Sequence, residues 1–203
     1  MWMMSTSRPK KRAYHHGHLT QALLRAAGNI LEKEGVESLK LRAVARRAGV
    51  SHNAPYRHFP EREALLAALA AEGFEWLSEA QRKAAAAGLR AMGEAYVHFA
   101  LAHPQRFRLM FGGQISLARH PQLREVATKA CEGLAGALSA RVPGGQDARD
   151  SSIAAWALVH GLAQLLLGAR LSSAAMRGRD ALTFVREVLG SVRFAAAPAQ
   201  SPA

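Results

Sequence analysis

Cysteine is almost missing from this chain: Cys131 is the only one in 203 residues. That excludes an intrachain disulfide framework and suits a reducing compartment. Aromatic residues are sparse at 6%, and β-branched runs are few, so strands are disfavoured and the alanine-rich remainder reads as helix. Acidic residues are also short, with 15 Asp and Glu against 27 Lys and Arg and a formal charge of +12. Such an excess suits a polyanionic partner such as nucleic acid. No apolar run reaches a membrane span: the most apolar stretch, 153–167, is too short and contains His160 and Gln164. The apolar Met1–Met4 start is too short for a secretory segment. The expectation is a cytoplasmic protein without a membrane partner.

Catalytic signatures are missing as well. There is no G-x-S-x-G, H-E-x-x-H, P-loop or glycine-rich dinucleotide fingerprint, so no enzyme is expected. His15-His16-Gly17-His18 has no adjacent acidic or thiol partner, and a transition-metal site needs three or four converging ligands. Neither metal nor cofactor is expected. Cys131 reads as a small core residue on an amphipathic helix.

What is present is a succession of helical periods, and the fold class is all-α. Residues 1–12 read as a disordered basic arm and 196–203 as a disordered tail. Residues 13–60 form a three-helix N-terminal unit, and 61–195 form a C-terminal helical bundle. Leu19–Glu34 carries apolar residues at helical spacing, and Gly35 ends it. Leu24, Ile30, Leu39, Val44, Val50, Tyr56 and Phe59 are the expected N-terminal core. The charge is unevenly spread: residues 1–62 hold twelve Lys and Arg against four Glu, so +8 of the +12 lies there.

The stretch LRAVARRAGVSHNAPYRHFP, 41–60, explains why the charge gathers there. It predicts a helix over 42–48, a turn at Gly49, and a second short helix over 52–58. Glycine tolerates the positive φ of a helix C-terminus, Ser51 is a good N-cap, and Pro55 sits where a missing N–H costs least. A helix-turn-helix of this build places its second helix in a DNA major groove. His52 and Asn53 stand at the tip that reads bases. Lys40, Ser51, Tyr56, His58 and Arg62 are expected near phosphates, and Arg42 near a base or a phosphate. The competing reading makes Tyr56 and His58 core-edge residues.

These residues resemble the DNA-binding motif of TetR-type transcriptional regulators. The resemblance rests on Ala45, Gly49-Val50-Ser51, Tyr56-x-x-Phe59 and the charged start Pro60-Glu61-Arg62-Glu63 before Leu65-Leu66. Downstream, HPQRFRLMF (103–111) and AWALVHGL (155–162) resemble the C-terminal domain of the subgroup called WHG. Lys40 departs from the Thr or Ser usual before the second helix, and His18 from an Asp usual at the start of the first.

The resemblance implies a small-molecule effector pocket inside the C-terminal bundle. Phe99, Phe107, Phe111, Cys131, Leu134, Trp156 and His160 are its expected lining, although His160 on an apolar face also reads as a core histidine. A short recognition helix covers only a few base pairs, so specific affinity calls for a homodimer on a near-palindromic operator. Ala157, Gly161, Leu165 and Gly168, with Leu182, Val185, Leu189 and Val192, are the expected interface; packing within one chain would use the same faces. The expected function is a ligand-responsive transcriptional repressor released by a largely apolar effector. The rivals are an architectural DNA-binding protein without an effector and a basic helical enzyme.

Overall fold

A computed structural model describes residues 16–139 and 145–192, and among these residues there are helices, turns and loops but no strand. The basic arm 1–12 and the tail 196–203 lie outside the described residues. Among the described residues, nine α-helices follow in chain order: α1 (His16–Glu34), α2 (Leu41–Arg47), α3 (Arg62–Ala84), α4 (Leu89–Ala102), α5 (Pro104–Phe111), α6 (Pro121–Ser139), α7 (Gly145–Leu167), α8 (Ser173–Met176) and α9 (Ala181–Ser191).

α1 buries Leu23, Ala27, Ile30 and Leu31, the stripe its periodicity predicts. It ends where Gly35, at φ +81°, returns its N–H to Leu31 O at 3.0 Å. His18, read as a helix start, lies inside α1. α3, matched in length by α7, is about 35 Å long at 1.5 Å per residue. Its N-terminal half packs with α1 and α2 through Leu65, Leu66 and Leu69, and that core runs on into Leu109 of α5 and Leu123 of α6. Its C-terminal half joins a second core through Leu77, with Tyr96 and Val97 of α4, Phe107 of α5, Val159 and Ala163 of α7 and Val185 of α9.

Two boundaries differ from the sequence expectation of a helix over 147–171 and another over 179–194. α7 stops at Leu167 because Ala169 turns left-handed at φ +49° and Arg170 N–H closes onto Leu165 O at 3.0 Å. The short α8 then intervenes, capped by Ser172, whose hydroxyl accepts from Ala175 N–H at 3.1 Å. α9 starts at Asp180, whose carboxylate accepts from the N–H groups of Leu182 and Thr183, each at 3.0 Å.

Candidate functional site

The turn after α2 carries the first part of the site. Gly49 adopts φ +69°, and the N–H groups of Gly49 and Val50 close back on Arg46 O and Ala45 O at 3.2 and 3.0 Å. This Schellman cap sets the angle at which the chain leaves α2. The α-helix expected over 52–58 is replaced by turns at 52–54 and a single 3-10 turn at Pro55–Arg57. Pro55 has no N–H to offer Ser51 O, so Ala54 N–H takes that carbonyl at three-residue spacing, 2.9 Å. His58 N–H repeats the spacing onto Pro55 O at 2.9 Å, which winds the segment tighter than an α-helix. Ser51 thus takes part through its carbonyl, in place of the hydroxyl cap expected of it.

The expected DNA contacts fall into two groups. Lys40, Arg42, Ser51, His52, Asn53 and Tyr56 are all exposed. Lys40 is the extended N-cap residue of α2 and makes no side-chain cap bond, as a cation at a helix start must. Tyr56, expected in the core, is 45% exposed, while Phe59 at 5% fills the core position; Leu24 and Val50 are half-buried. The second group is turned inward. His58 is half-buried, and its Nδ1 meets Thr20 Oγ1 of α1 at 3.0 Å. Arg62 departs furthest from expectation. Its Nε donates to Leu39 O at 2.8 Å and its Nη2 to Val36 O at 2.5 Å, so its guanidinium clamps the loop before α2.

The second part of the site is a cavity of about 490 Å³ among α3, α5, α6 and α7, walled largely by apolar side chains. Of the expected lining, Phe111, Cys131 and Trp156 take part. Phe107 does not: it is 0% exposed and packs edge-on to Tyr96 at 5.8 Å between ring centroids. Phe99 lines a different, surface groove of about 640 Å³, with Trp76, His103 and Leu182. His160 is half-buried, its Nδ1 2.9 Å from the Tyr96 hydroxyl and its ring 4.8 Å from that of Phe111. Burial lowers its pKa. The side chain of Leu134, on α6, lies outside the described residues. Cys131, expected in the core, is reachable through the cavity; its surroundings push its thiol pKa up, away from nucleophilic use.

Sequence reasoning missed two anchors of this cavity. Residues 112–120, between α5 and α6, contribute Gly113, Ile115 and Leu117 to its wall. That loop is tied to the base of α3, just after the turn that carries His52 and Asn53. Glu63 accepts from Ser116 N–H at 3.3 Å and from Arg119 Nη1 at 2.6 Å, while Arg119 Nη2 donates to Glu61 at 2.5 Å. His120 Nε2 lies 3.2 Å from the same Glu63 carboxylate. The Ser116 N–H, then Arg119 and His120, hold the Glu63 carboxyl below the usual carboxylate range. The second anchor is Arg106 of α5, 2% exposed, which donates to Leu69 O at 2.9 Å and Glu72 Oε2 at 2.8 Å. It also lies 4.2 Å from the centroid of the Trp76 ring. Glu32 of α1 accepts from the N–H groups of Gln105 and Arg106 at 3.3 and 3.2 Å, capping α5 from the N-terminal unit. The only sequence signal for either anchor was charge inside apolar stretches.

The expected interface residues also divide. On α7, Ala157 and Leu165 are exposed, as is Gly168 in the turn just after it; Gly161 has open space where a Cβ would stand, and Ile153 is 63% exposed. On α9, Val185 is 1% exposed and Leu189 sits 3.0 Å from where a Cβ on Gly93 would lie; Val192, just after α9, lines a crevice with Leu89 and Leu158. Leu182, 41% exposed, borders the surface groove. α9 has one apolar face, and α4 of the same chain occupies it. By length and composition the window Asp150–Leu167 of α7 would suffice to cross a bilayer, but α7 packs against α4 and α6 as a wall of the bundle.

Comparison with known proteins fits this two-part layout. Residues 23–69 match the model of bacterial regulatory proteins of the tetR family, and residues 89–192 match the tetracyclin repressor-like C-terminal domain. A solved protein of unknown function from Rhodococcus sp. RHA1 is 34% identical, over 89% of this chain and 96% of that one, with a TM-score of 0.74. The chain belongs to the TetR family. As a TetR-family member it is a DNA-binding transcriptional regulator. The TetR family regulator PfmR from Thermus thermophilus shares the fold at 18% identity, over 83% of this chain and 94% of that one, with a TM-score of 0.59. The multidrug binding protein EbrR, complexed with ethidium, shares it at 22% identity, over 85% and 96%, with a TM-score of 0.60. No curated protein matches the chain.

Proposed function

We propose that this TetR-family regulator, of the WHG-type subgroup, is a homodimeric repressor that binds a near-palindromic operator and is released by a small, largely apolar effector. The observation that carries the reading is the shared loop 112–120. It walls the apolar cavity on one side and is ion-paired to Glu61 and Glu63 on the other. An occupant that displaces this loop works directly on the helix that begins at the end of the reading turn. The effector needs only to favour one arrangement of α3 over the other. EbrR, a multidrug binding protein of the same fold, is complexed with ethidium, which supports a small-molecule occupant.

On the DNA side, His52 and Asn53 read base edges in the major groove, while Lys40, Arg42, Ser51 and Tyr56 hold the backbone. His58 and Arg62 serve by positioning: one ties the reading turn to α1, the other ties the loop before α2. A reading segment this short spans few base pairs, so two copies are needed. The exposed apolar stripe from Ile153 to Leu165 on α7, continued by Gly168 just after it, is the surface for joining them. The protein acts in the cytoplasm, where the operator is.

The test is binding to the chain's own upstream DNA and to random duplex across a range of salt. A dimer that prefers the upstream sequence supports the reading. Equal affinities would instead favour an architectural DNA-binding protein without an effector. Asn53→Ala should weaken the upstream site by about 1–3 kcal/mol and relax selectivity. Lys40→Ala should weaken both duplexes alike and flatten the salt slope.

A further inference from the structure

We infer that the effector carries a neutral carbonyl-type oxygen, seated in a recess between Gln81 and Trp156 that opens from the α3–α7 cavity. The inference rests on that cavity being the effector site. The recess is small and enclosed, about 10 Å³, lined by Gln81, Tyr96 and Trp156 among apolar neighbours. That is room for about one oxygen atom. It shares Phe74, Phe111, Cys131 and Trp156 with the larger cavity, so a molecule lying against those walls has the recess at its end.

The chemistry of the recess is one-sided. Gln81 is 3% exposed, and its Nε2 is buried without a hydrogen-bond partner in the protein. The Trp156 Nε1 is buried too and makes no well-formed hydrogen bond in the protein, the Tyr96 hydroxyl beside it being its nearest polar neighbour. Tyr96 is itself 2% exposed, with its hydroxyl 2.9 Å from His160 Nδ1. An indole N–H only donates, so the atom that satisfies it must be an acceptor, and an amide NH₂ adds a second donor. A carboxylate fits poorly, because no cation among the described residues lines the recess to offset its desolvation. An ammonium would bring more donors to a place whose two unpartnered atoms are themselves donors. A ketone, ester or amide oxygen meets the requirement, with an apolar body against Phe74, Met110, Phe111 and Ile115.

The test uses the full-length chain and three matched pairs of probes: fluorenone and fluorene, benzophenone and diphenylmethane, acetophenone and ethylbenzene. Affinities come from calorimetry, and the Trp156 indole N–H is followed by ¹⁵N-resolved NMR. Each ketone should bind about three- to tenfold more tightly than its hydrocarbon, and only the ketones should move the indole proton downfield. Gln81→Leu and Trp156→Phe should each shrink the ratio of ketone to hydrocarbon affinity within every pair. Equal binding within each pair and an unmoved indole would overturn the inference, leaving the recess to a bound water and the cavity reading intact. Failure of all six compounds to bind would overturn the cavity reading and this inference with it. The indole shift is read in the unaltered protein, so the outcome does not hang on a variant that fails to fold.

Discussion

Removing Glu72 should harm the protein more than removing Arg106, although the two form one ion pair. Arg106 is the buried partner: its side chain is 3% exposed against 27% for Glu72. In Arg106→Leu the protein loses charge-assisted hydrogen bonds to Glu72 and Leu69 O and the contact with Trp76. Glu72 can still turn to water, and leucine fills part of the volume, so the net cost is about 1–3 kcal/mol. In Glu72→Leu the guanidinium stays buried with only a carbonyl and a ring face, and its Nε already has no partner. Leaving one charge of a buried pair uncompensated costs about 3–5 kcal/mol. The remaining carbonyl and the ring face bring that down to about 2–4 here. The double variant removes both charges and should be more stable than Glu72→Leu alone. Urea unfolding at one protein concentration measures all three, and each kcal/mol should lower Tm by about 2–4 °C for a chain of this size. If Glu72→Leu costs no more than Arg106→Leu, the account of Arg106 as a desolvated cation held by its partner is wrong.

Arg62→Ala should cost about 1–3 kcal/mol of stability through two lost bonds to main-chain carbonyls, while the salt slope of DNA binding stays as it was. A slope reduced by about one would return Arg62 to the phosphates. Glu63 has a folded-state pKa below its ordinary value, so its contribution is present above that ordinary value and is lost as pH falls through the depressed one. Glu63→Gln should therefore flatten the acid limb of stability measured against pH, and an unchanged limb would exclude the tie to Ser116 and Arg119. Leu165→Glu, on the exposed stripe of α7, should give a monomer in sedimentation and a loss of operator binding with little change in helix content. A dimer that survives it would move the interface elsewhere.

Glycines and prolines made most of the element boundaries legible. Gly35, Gly49, His103-Pro104 and Gly112-Gly113 act through a single residue's allowed φ or missing N–H, which a sequence displays directly. The buried stripe of α1 and the exposed tip at His52 and Asn53 were legible for the same local reason. The one local misreading in that region was the helix over 52–58, where Pro55 removes a bond that a purely periodic pattern does not register.

What the sequence by itself determined is the all-α class, the order of the elements, the basic N-terminal unit and the exposure of His52 and Asn53. All of these follow from helical period, turn chemistry and charge counted along the chain. Only the tertiary structure decided which side chains a second element would capture. Arg62 and His58 carry the same charge or ring as their exposed neighbours, yet Leu39 O, Val36 O and Thr20 hold them. Phe107 stands one helical turn from Phe111 on α5, but only Phe111 faces the cavity, because burial on a helix depends on what packs against it. The ties from Glu61 and Glu63 to Arg119, and from Arg106 to Glu72 and Leu69, join residues far apart in sequence. No local pattern encodes them, since a long-range ion pair depends on where two helices come to rest.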